Sequence, residues 1–585
     1  MVTPTRSVVC FTPVSSTLLK TGMVNTPNSY YRISSGGRDP LRIGLLLDSP
    51  DRVPAFLARV IQDIRASNFA RIACLVVTND DSTSASARLP QKSASDSKVR
   101  KRLLYDLYLR MGARMNPGND PLALVDASTL LSGIEVLGAG SVDQIRSKSL
   151  DVLLHFGSGI LRGNILKAAH CGVWSYHHGD NEFYRGVPSY FWEMREGSPL
   201  SGVVLEVLAG EPGTGLALCK SLFATERTLS LSRNRYTPYW GSTDLVIQKL
   251  NELHRFDWEY VFARALPPVP YQGKRPAYEI PGNWEMLSWL GPILFKKAIS
   301  YPFRRERVQH WRIALRIGGK PLREMASATN VSGFRWVDSP QGHYWADPFP
   351  IEHEGKAWVF FEDYSYRTKR GSIACSEISP EGELGPPETC VEHPSLHYSY
   401  PHIFRAGSEI FMVPESYDSE SVDLYRCHQF PDQWVHEATL LEGKFVDTTI
   451  WQHEGLWWMA TTTADPHPGA GCLILFYSES LTGDWHFHPA NPISTDIRRN
   501  RGAGRVFRDQ DRLIRPSQSC APTYGYSVDF NEITELSRER YSERPLKTIT
   551  PGHWAGLSGI HTYNQAGKIE FIDGRTPVPL KRVLR

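Results

Sequence analysis

One pattern recurs five times in the second half of the chain, and few folds accommodate it. The segments are YWADPFPIEHEGKAWVFFED (344–363), YSYPHIFRAGSEIFMVPES (398–416), FVDTTIWQHEGLWWMATTT (445–463), GAGRVFRDQDRLIRPSQS (502–519) and GIHTYNQAGKIEFIDG (559–574). Each reads as a polar cluster, an apolar strand, a short turn and a second, aromatic strand. Their starts lie 47 to 57 residues apart. Units of that length, each folding into a small antiparallel sheet, predict the blades of a β-propeller, and five copies predict five blades. The competing architecture is a β-sandwich with chance similarity between its strands.

The first half has another character. RIGLLL (Arg42–Leu47), RIACLVVT (Arg71–Thr78) and LDVLLHFG (Leu150–Gly157) are continuous apolar runs, and residues 53–66 between the first two have helical spacing. Buried strands alternating with helices predict a parallel sheet covered on both faces. A proline-rich stretch at 265–283 separates the two compositions. The expected plan is multidomain α/β plus all-β: a loose tail (1–40), an α/β domain (41–262), a linker with a helical segment (263–333) and the propeller (334–585). The length of 585 residues suits such a plan. Residues 82–100 read as an exposed loop.

With 65 basic and 62 acidic residues the net charge is +3, so bulk charge does not call for nucleic acid. Nine cysteines without a CxxC pair suggest neither a disulfide framework nor a metal site. No charged start followed by an apolar run marks a leader, which gives the expectation of a cytoplasmic protein. Residues 286–317 mix apolar and aromatic groups with seven Lys/Arg. They read either as an interdomain helix or as a peripheral membrane contact.

Two regions carry candidate chemistry. VWSYHHGDNEFYRG (173–186) follows a strand's carboxyl end, where open α/β sheets hold ligands. His177 there is either a general base or a loop residue holding backbone groups. The segment resembles the formyltransferases that use 10-formyl-tetrahydrofolate: the family histidine falls on His177, followed by Arg185–Gly186 and SPLSGVVLEVL (198–208). LLHFGSGILRGNIL (153–166) resembles the folate-facing strand and loop. The resemblance implies a Rossmann-like formyltransferase fold, cofactor contacts from Phe156, Gly157, Ser158, Gly159 and Ile160, and acceptor contacts from Asn181 and Arg185. The family asparagine falls on Ser175 and the family aspartate on Gly213, so Ser175 and His177 would stabilise the oxyanion, with Asp180 or Glu211 replacing the aspartate.

In the repeats, Asp347, His402, Asp447, Arg505 and His561 hold equivalent positions on the first strands, where a propeller points side chains into its channel. Glu362, Glu415, Arg515 and Gln518 lie near the ends of the partner strands. Paired carboxyl groups around a sugar-sized pocket are what glycosidic chemistry requires. WADPF, YPH, PES, DTT and HTYN resemble five-bladed glycoside hydrolases and, more closely, the N-terminal region of glucosamine inositolphosphorylceramide transferases. That resemblance makes Asp347 the base-like carboxylate and leaves Glu415 and Asp447 as candidates for the acid. Cleavage, binding without cleavage and a structural role all remain open. The combined expectation is formyl transfer to an amino sugar, with the propeller holding carbohydrate; the alternative is a glycan-acting or glycan-binding propeller beside an inactive α/β domain.

Overall fold

The computed structural model describes residues 27–34, 36–77, 102–114, 120–157, 159–209, 215–226, 228–300, 306–318, 333–464 and 471–583. The predicted loop at 82–100 lies outside them. The chain divides into two compact units, one comprising 1–196, 203–219 and 227–291, the other 197–202, 220–226 and 292–585.

The first unit is built on a seven-stranded sheet in the order Val136–Gly138, Ala70–Val77, Leu41–Leu47, Val152–His155, Val173–His178, Leu200–Val207, Leu216–Ala224. The first five strands are parallel, and Leu200–Val207 runs antiparallel to Val173–His178. The apolar runs are central strands: Ile43, Leu45, Leu46, Leu153 and Leu154 are fully buried. Helix Ala55–Ala66 turns Phe56, Leu57, Val60, Ile61 and Ile64 inward at helical spacing. The strand order grows outward from Leu41–Leu47 in one direction, then reverses to continue from Val152–His155. That reversal is the topological switch point at which such sheets open a crevice. The predicted tail is fixed at its end: Arg32 pairs with buried Asp63 at 2.6 Å, and Ser34 Oγ meets His254 Nδ1 at 2.7 Å.

The second unit is a five-bladed propeller. Four blades are consecutive antiparallel sheets, with inner strands His343–His353, Ser399–Ala406, Phe445–His453 and Arg501–Gly502. The fifth is shared by both ends of the unit. Tyr563–Ala566 and Ile569–Pro579 form its inner half, and Arg307–Ile317 and Arg335–Trp336 its outer half. Register runs from Arg307 opposite Pro579 to Ile317 opposite Ile569. The predicted helical segment therefore divides into helix Asn283–Ser300 and a propeller strand, and the propeller begins before the expected boundary at 334. Closing the ring this way supplies a partner for a strand edge that would otherwise stay open.

Within the closing blade, Arg316 and Glu570 form a buried ion pair through Nε–H at 3.0 Å, and Glu570 also accepts from the Tyr563 hydroxyl at 2.6 Å. Removing one member of a buried pair strands the other charge. Glu570→Leu is expected to lower stability by about 3 kcal/mol, measured by chemical denaturation with the propeller's tryptophan fluorescence as the signal.

Candidate functional site at the propeller channel

The first three inner strands break register at matching places: between Ala346 and Phe349, Ser399 and His402, and Val446 and Thr449. The residue after each break takes a left-handed backbone, with φ of 50° at Asp347, 43° at Tyr400 and 53° at Asp447. Such a conformation is costly outside glycine, and bulges of this kind re-aim side chains beside functional sites. Here they aim two aspartates at the channel mouth, while the Tyr400 side chain packs into the core with its hydroxyl 2.9 Å from Thr449 Oγ1.

Hydrogen bonds hold that geometry. The Tyr400 amide donates to Asp347 Oδ2 at 3.2 Å, and the Thr562 hydroxyl donates to Oδ1 at 2.8 Å. The Asp447 amide donates to Glu415 Oε2 at 2.9 Å, and Arg501 Nε donates to Asp447 Oδ2 at 2.5 Å. His561 Nδ1 lies 2.5 Å from Asp573 Oδ2 and 3.7 Å from Asp347 Oδ1, while its ring stacks on Trp311 at 3.8 Å. Gly502 permits the approach of the fourth blade, since a Cβ there would sit 2.8 Å from the Asp447 carbonyl and 2.9 Å from the Tyr400 hydroxyl.

Electrostatics divides these groups. Burial, reinforced by Asp347 and Glu415, pushes the Glu362 carboxyl well above the usual range. Burial and neighbouring Asp447 do the same to Glu415, against the pull of Arg501. Burial raises Asp347 to about 6 although His561 opposes the shift. Burial favours neutral His561, but Asp573 and Asp347 outweigh it and raise its pKa. The mouth thus holds proton-bearing glutamic acids beside carboxylates paired with cations. Aromatic groups rim it: Tyr344 stacks on Tyr364 at 4.5 Å, Tyr366 packs edge-on to Tyr344, and Tyr524 is 45% exposed.

Asp347, Glu362, Glu415, Asp447 and His561, all anticipated from the repeats, converge here. Three anticipated contacts do not. The His402 ring is 1% exposed and lies against the Ile450 backbone, with Nε2 2.8 Å from its carbonyl oxygen and 3.0 Å from its nitrogen. Burial holds it neutral, its pKa pushed down to about 3. The bulge at Tyr400 shifts the alternation, so His402 clamps two blades together. Arg515 is likewise structural: Nε and Nη2 donate to Glu543 at 2.8 and 2.7 Å. Arg505 donates to the Ile403 and Pro350 carbonyls. Sequence reasoning missed Tyr400, Arg501, Tyr524, Thr562, Asp573 and Trp311. Asp573 and Thr562 stood inside the fifth repeat, whereas Trp311 lies outside every repeat and arrives only through ring closure.

Among the described residues, Asp347, His561 and Asp573 are the one group whose ligand atoms lie within 4.8 Å of one another, as cation binding would require. Their contacts already complete a hydrogen-bonded ion pair. A cation would have to displace the proton held between His561 and Asp573.

The α/β unit presents a second set of anticipated residues. Ser158, Glu211 and Gly213 lie outside the described residues. Ser175 donates its hydroxyl to the His155 carbonyl at 3.1 Å, and His177 Nε2–H donates to the Tyr184 carbonyl at 3.0 Å. Asp180 accepts from the Glu182 amide at 3.0 Å, holding the turn. Arg185 donates to the Asn181 carbonyl at 3.0 Å and covers the Tyr271 ring at 4.5 Å. His177, Asp180 and Arg185 thus hold their own turn, while Ser175 ties two adjacent strands. Phe156 stacks on Tyr176 at 6.0 Å, Gly157 faces Asp48, and Gly159 and Ile160 follow in the strand-end loop, with Ile160 exposed.

Two groups here escaped the sequence reading. Strand pairing sets His155, Ser175 and Glu206 in one row across three adjacent strands. Burial lowers His155 to about 4 and raises Glu206 to about 7. Each is a single polar letter within an apolar run, which was the available signal.

A family model described as "Glucosamine inositolphosphorylceramide transferase 1, N-terminal" matches residues 332–555. Glucosamine inositolphosphorylceramide transferase 1 of Arabidopsis thaliana is 33% identical over 271 residues, covering 45% of this chain and 34% of the relative. Its counterpart in Oryza sativa subsp. japonica is 30% identical over 257 residues, covering 40% and 34%. The chain thus spans about a third of the length of these curated relatives. Among solved structures, a family 117 glycoside hydrolase of Zobellia galactanivorans aligns with 46% of this chain and 92% of its own, at a TM-score of 0.30 and 10% identity. Glycinamide ribonucleotide transformylase 1 of Symbiobacterium toebii aligns with 40% of this chain and 96% of its own, at a TM-score of 0.26 and 13% identity.

The α/β unit also buries Glu193, 1% exposed, whose pKa burial raises to about 8. The folded state keeps a proton that the unfolded chain releases near its ordinary value of 4.5. Stability is therefore lost as pH rises from that value toward 8. Glu193→Gln is expected to raise the melting temperature at pH 8 and leave it nearly unchanged at pH 4, as read by thermal unfolding across pH.

Proposed function

We propose that the propeller acts on a glycosidic linkage of a sugar-bearing glycoconjugate, by hydrolysis or by transfer. The supporting observation is the convergence of four carboxyl groups at one channel mouth: Asp347 and Asp447 lie within ion-pair distance of His561 and Arg501, while burial pushes Glu415 and Glu362 well above the usual carboxyl range. A proton donor and an ionised partner facing one sugar are the two components of such chemistry. Glu415 is the acid in this reading, because it remains half-buried and accessible, whereas Glu362 is enclosed. Asp347 is the base or nucleophile, with Tyr344 and Tyr524 as stacking faces for the sugar. The matched relatives carry the name glucosamine inositolphosphorylceramide transferase, which favours a glycoconjugate as the substrate class.

The α/β unit supports a second reading: formyl transfer from 10-formyl-tetrahydrofolate to an amino sugar, since Ser175 and His177 sit toward the carboxyl end of a strand beside the switch point. This reading requires the Ser175 hydroxyl to leave the His155 carbonyl. Its test is a formyl mass gain on an amino sugar that His177→Ala removes.

The first reading is tested with a panel of aryl glycosides and sugar-bearing inositol phospholipids, monitoring release or transfer of sugar. Glu415→Gln is expected to cut the rate at least about 100-fold. The wild-type rate should rise with pH through about 6 as Asp347 ionises, and Asp347→Asn should remove activity, with circular dichroism checking that the variant is folded. Glycan binding with no turnover on any substrate would overturn the catalytic part of the proposal.

A further inference from the structure

Helix Asn283–Ser300 is apolar on two faces, and only one of them is covered. Met286 is fully buried, and Trp289 packs against Tyr108 at 5.9 Å and Phe191 at 5.3 Å. The opposite stripe, at helical spacing, is Trp284, Leu287, Leu294, Phe295 and Ile299. Trp284 is 77% and Phe295 69% exposed, and the other three are more than half exposed. Beside its first turn lies helix Leu103–Arg114, tied on by a 2.8 Å hydrogen bond from the Leu104 amide to Asn283 Oδ1. That helix also turns a stripe outward: Leu103, Leu107 and Met111, each about half exposed. Eight large apolar side chains uncovered in this way exceed what a freely soluble surface ordinarily shows.

The exposed charges beside the stripes are basic, while Asp106 on helix Leu103–Arg114 is half-buried. Glu285, the single acid of helix Asn283–Ser300, is paired with Arg275 at 2.8 Å and Arg195 at 3.7 Å. Lys296, Lys297 and Arg110 are exposed. No described helix is long and apolar enough to cross a membrane. Tryptophan, phenylalanine and leucine on the outward face with lysine and arginine at its flank is the composition that lies in a bilayer's interface and is drawn to anionic headgroups.

We propose that this two-helix face docks the protein on an anionic lipid surface, with Trp284, Leu287, Phe295 and Ile299 entering the interface and Lys296 and Lys297 meeting the headgroups. The proposal is independent of the chemistry assigned to the propeller. It is tested by flotation of the full chain with vesicles of phosphatidylcholine alone or mixed with phosphatidylserine. The expected result is flotation with the mixed vesicles, weakened by high salt, and at least a tenfold loss of the bound fraction in the double variant Trp284→Asp/Phe295→Asp. Lys296→Glu/Lys297→Glu should weaken binding to the anionic vesicles while leaving the weaker neutral binding unchanged. Because every altered side chain is exposed, melting temperatures should match the parent's; Leu287→Gln/Ile299→Gln provides a milder pair should the aspartates disturb the helix. Absence of flotation overturns the proposal, as does flotation that both apolar double variants retain. A concentration-dependent dimer that the same variants abolish, without vesicle binding, would assign the face to a second copy of the chain and also overturn it.

Discussion

Five carboxyl groups share the channel mouth with two cationic partners. Asp347, Glu362, Glu415, Asp447 and Asp573 are all buried or half-buried; Arg501 pairs with Asp447 and His561 with Asp573, while His397, whose pKa burial lowers, approaches Glu362 at 3.5 Å. A desolvated negative charge without a partner is too costly to keep, so the surplus is met by protons. Burial, reinforced by neighbouring carboxylates, displaces Glu362 and Glu415 furthest upward, and the pull of Arg501 on Glu415 does not offset it. The acid and base roles proposed for this cluster would follow from a local shortage of positive charge.

Much of this arrangement was legible in the repeats. The polar clusters at 347, 447 and 561 stood at equivalent steps, and those residues meet. What repetition could not convey was direction. A bulge changes the alternation of side chains along a strand. The histidine at 402, two residues beyond a left-handed Tyr400, therefore faces a neighbouring blade. The second loss of information is topological. Trp311 belongs to a strand that precedes the first repeat, and nothing in its own neighbourhood marks it as a member of the fifth blade.

The α/β unit was legible for another reason. Its central strands are buried on both faces, so they read as unbroken apolar runs. The same feature concealed His155 and Glu206, since one polar letter among aliphatic ones carries little weight until strand register sets it beside Ser175. The segment rich in His, Asp and Asn after Val173–His178 attracted attention for its composition, yet several of its side chains serve to hold their own turn.

The shared fifth blade has a consequence for biosynthesis. Arg307–Ile317 leaves the ribosome early but cannot find its hydrogen-bonding neighbour until Ile569–Pro579 has been translated. Throughout that interval the nascent propeller is an open crescent with an unsatisfied strand at its leading side. Chaperone protection should therefore be needed for nearly the whole of its synthesis, and a stalled or prematurely terminated chain would present quality control with a ready adhesive edge.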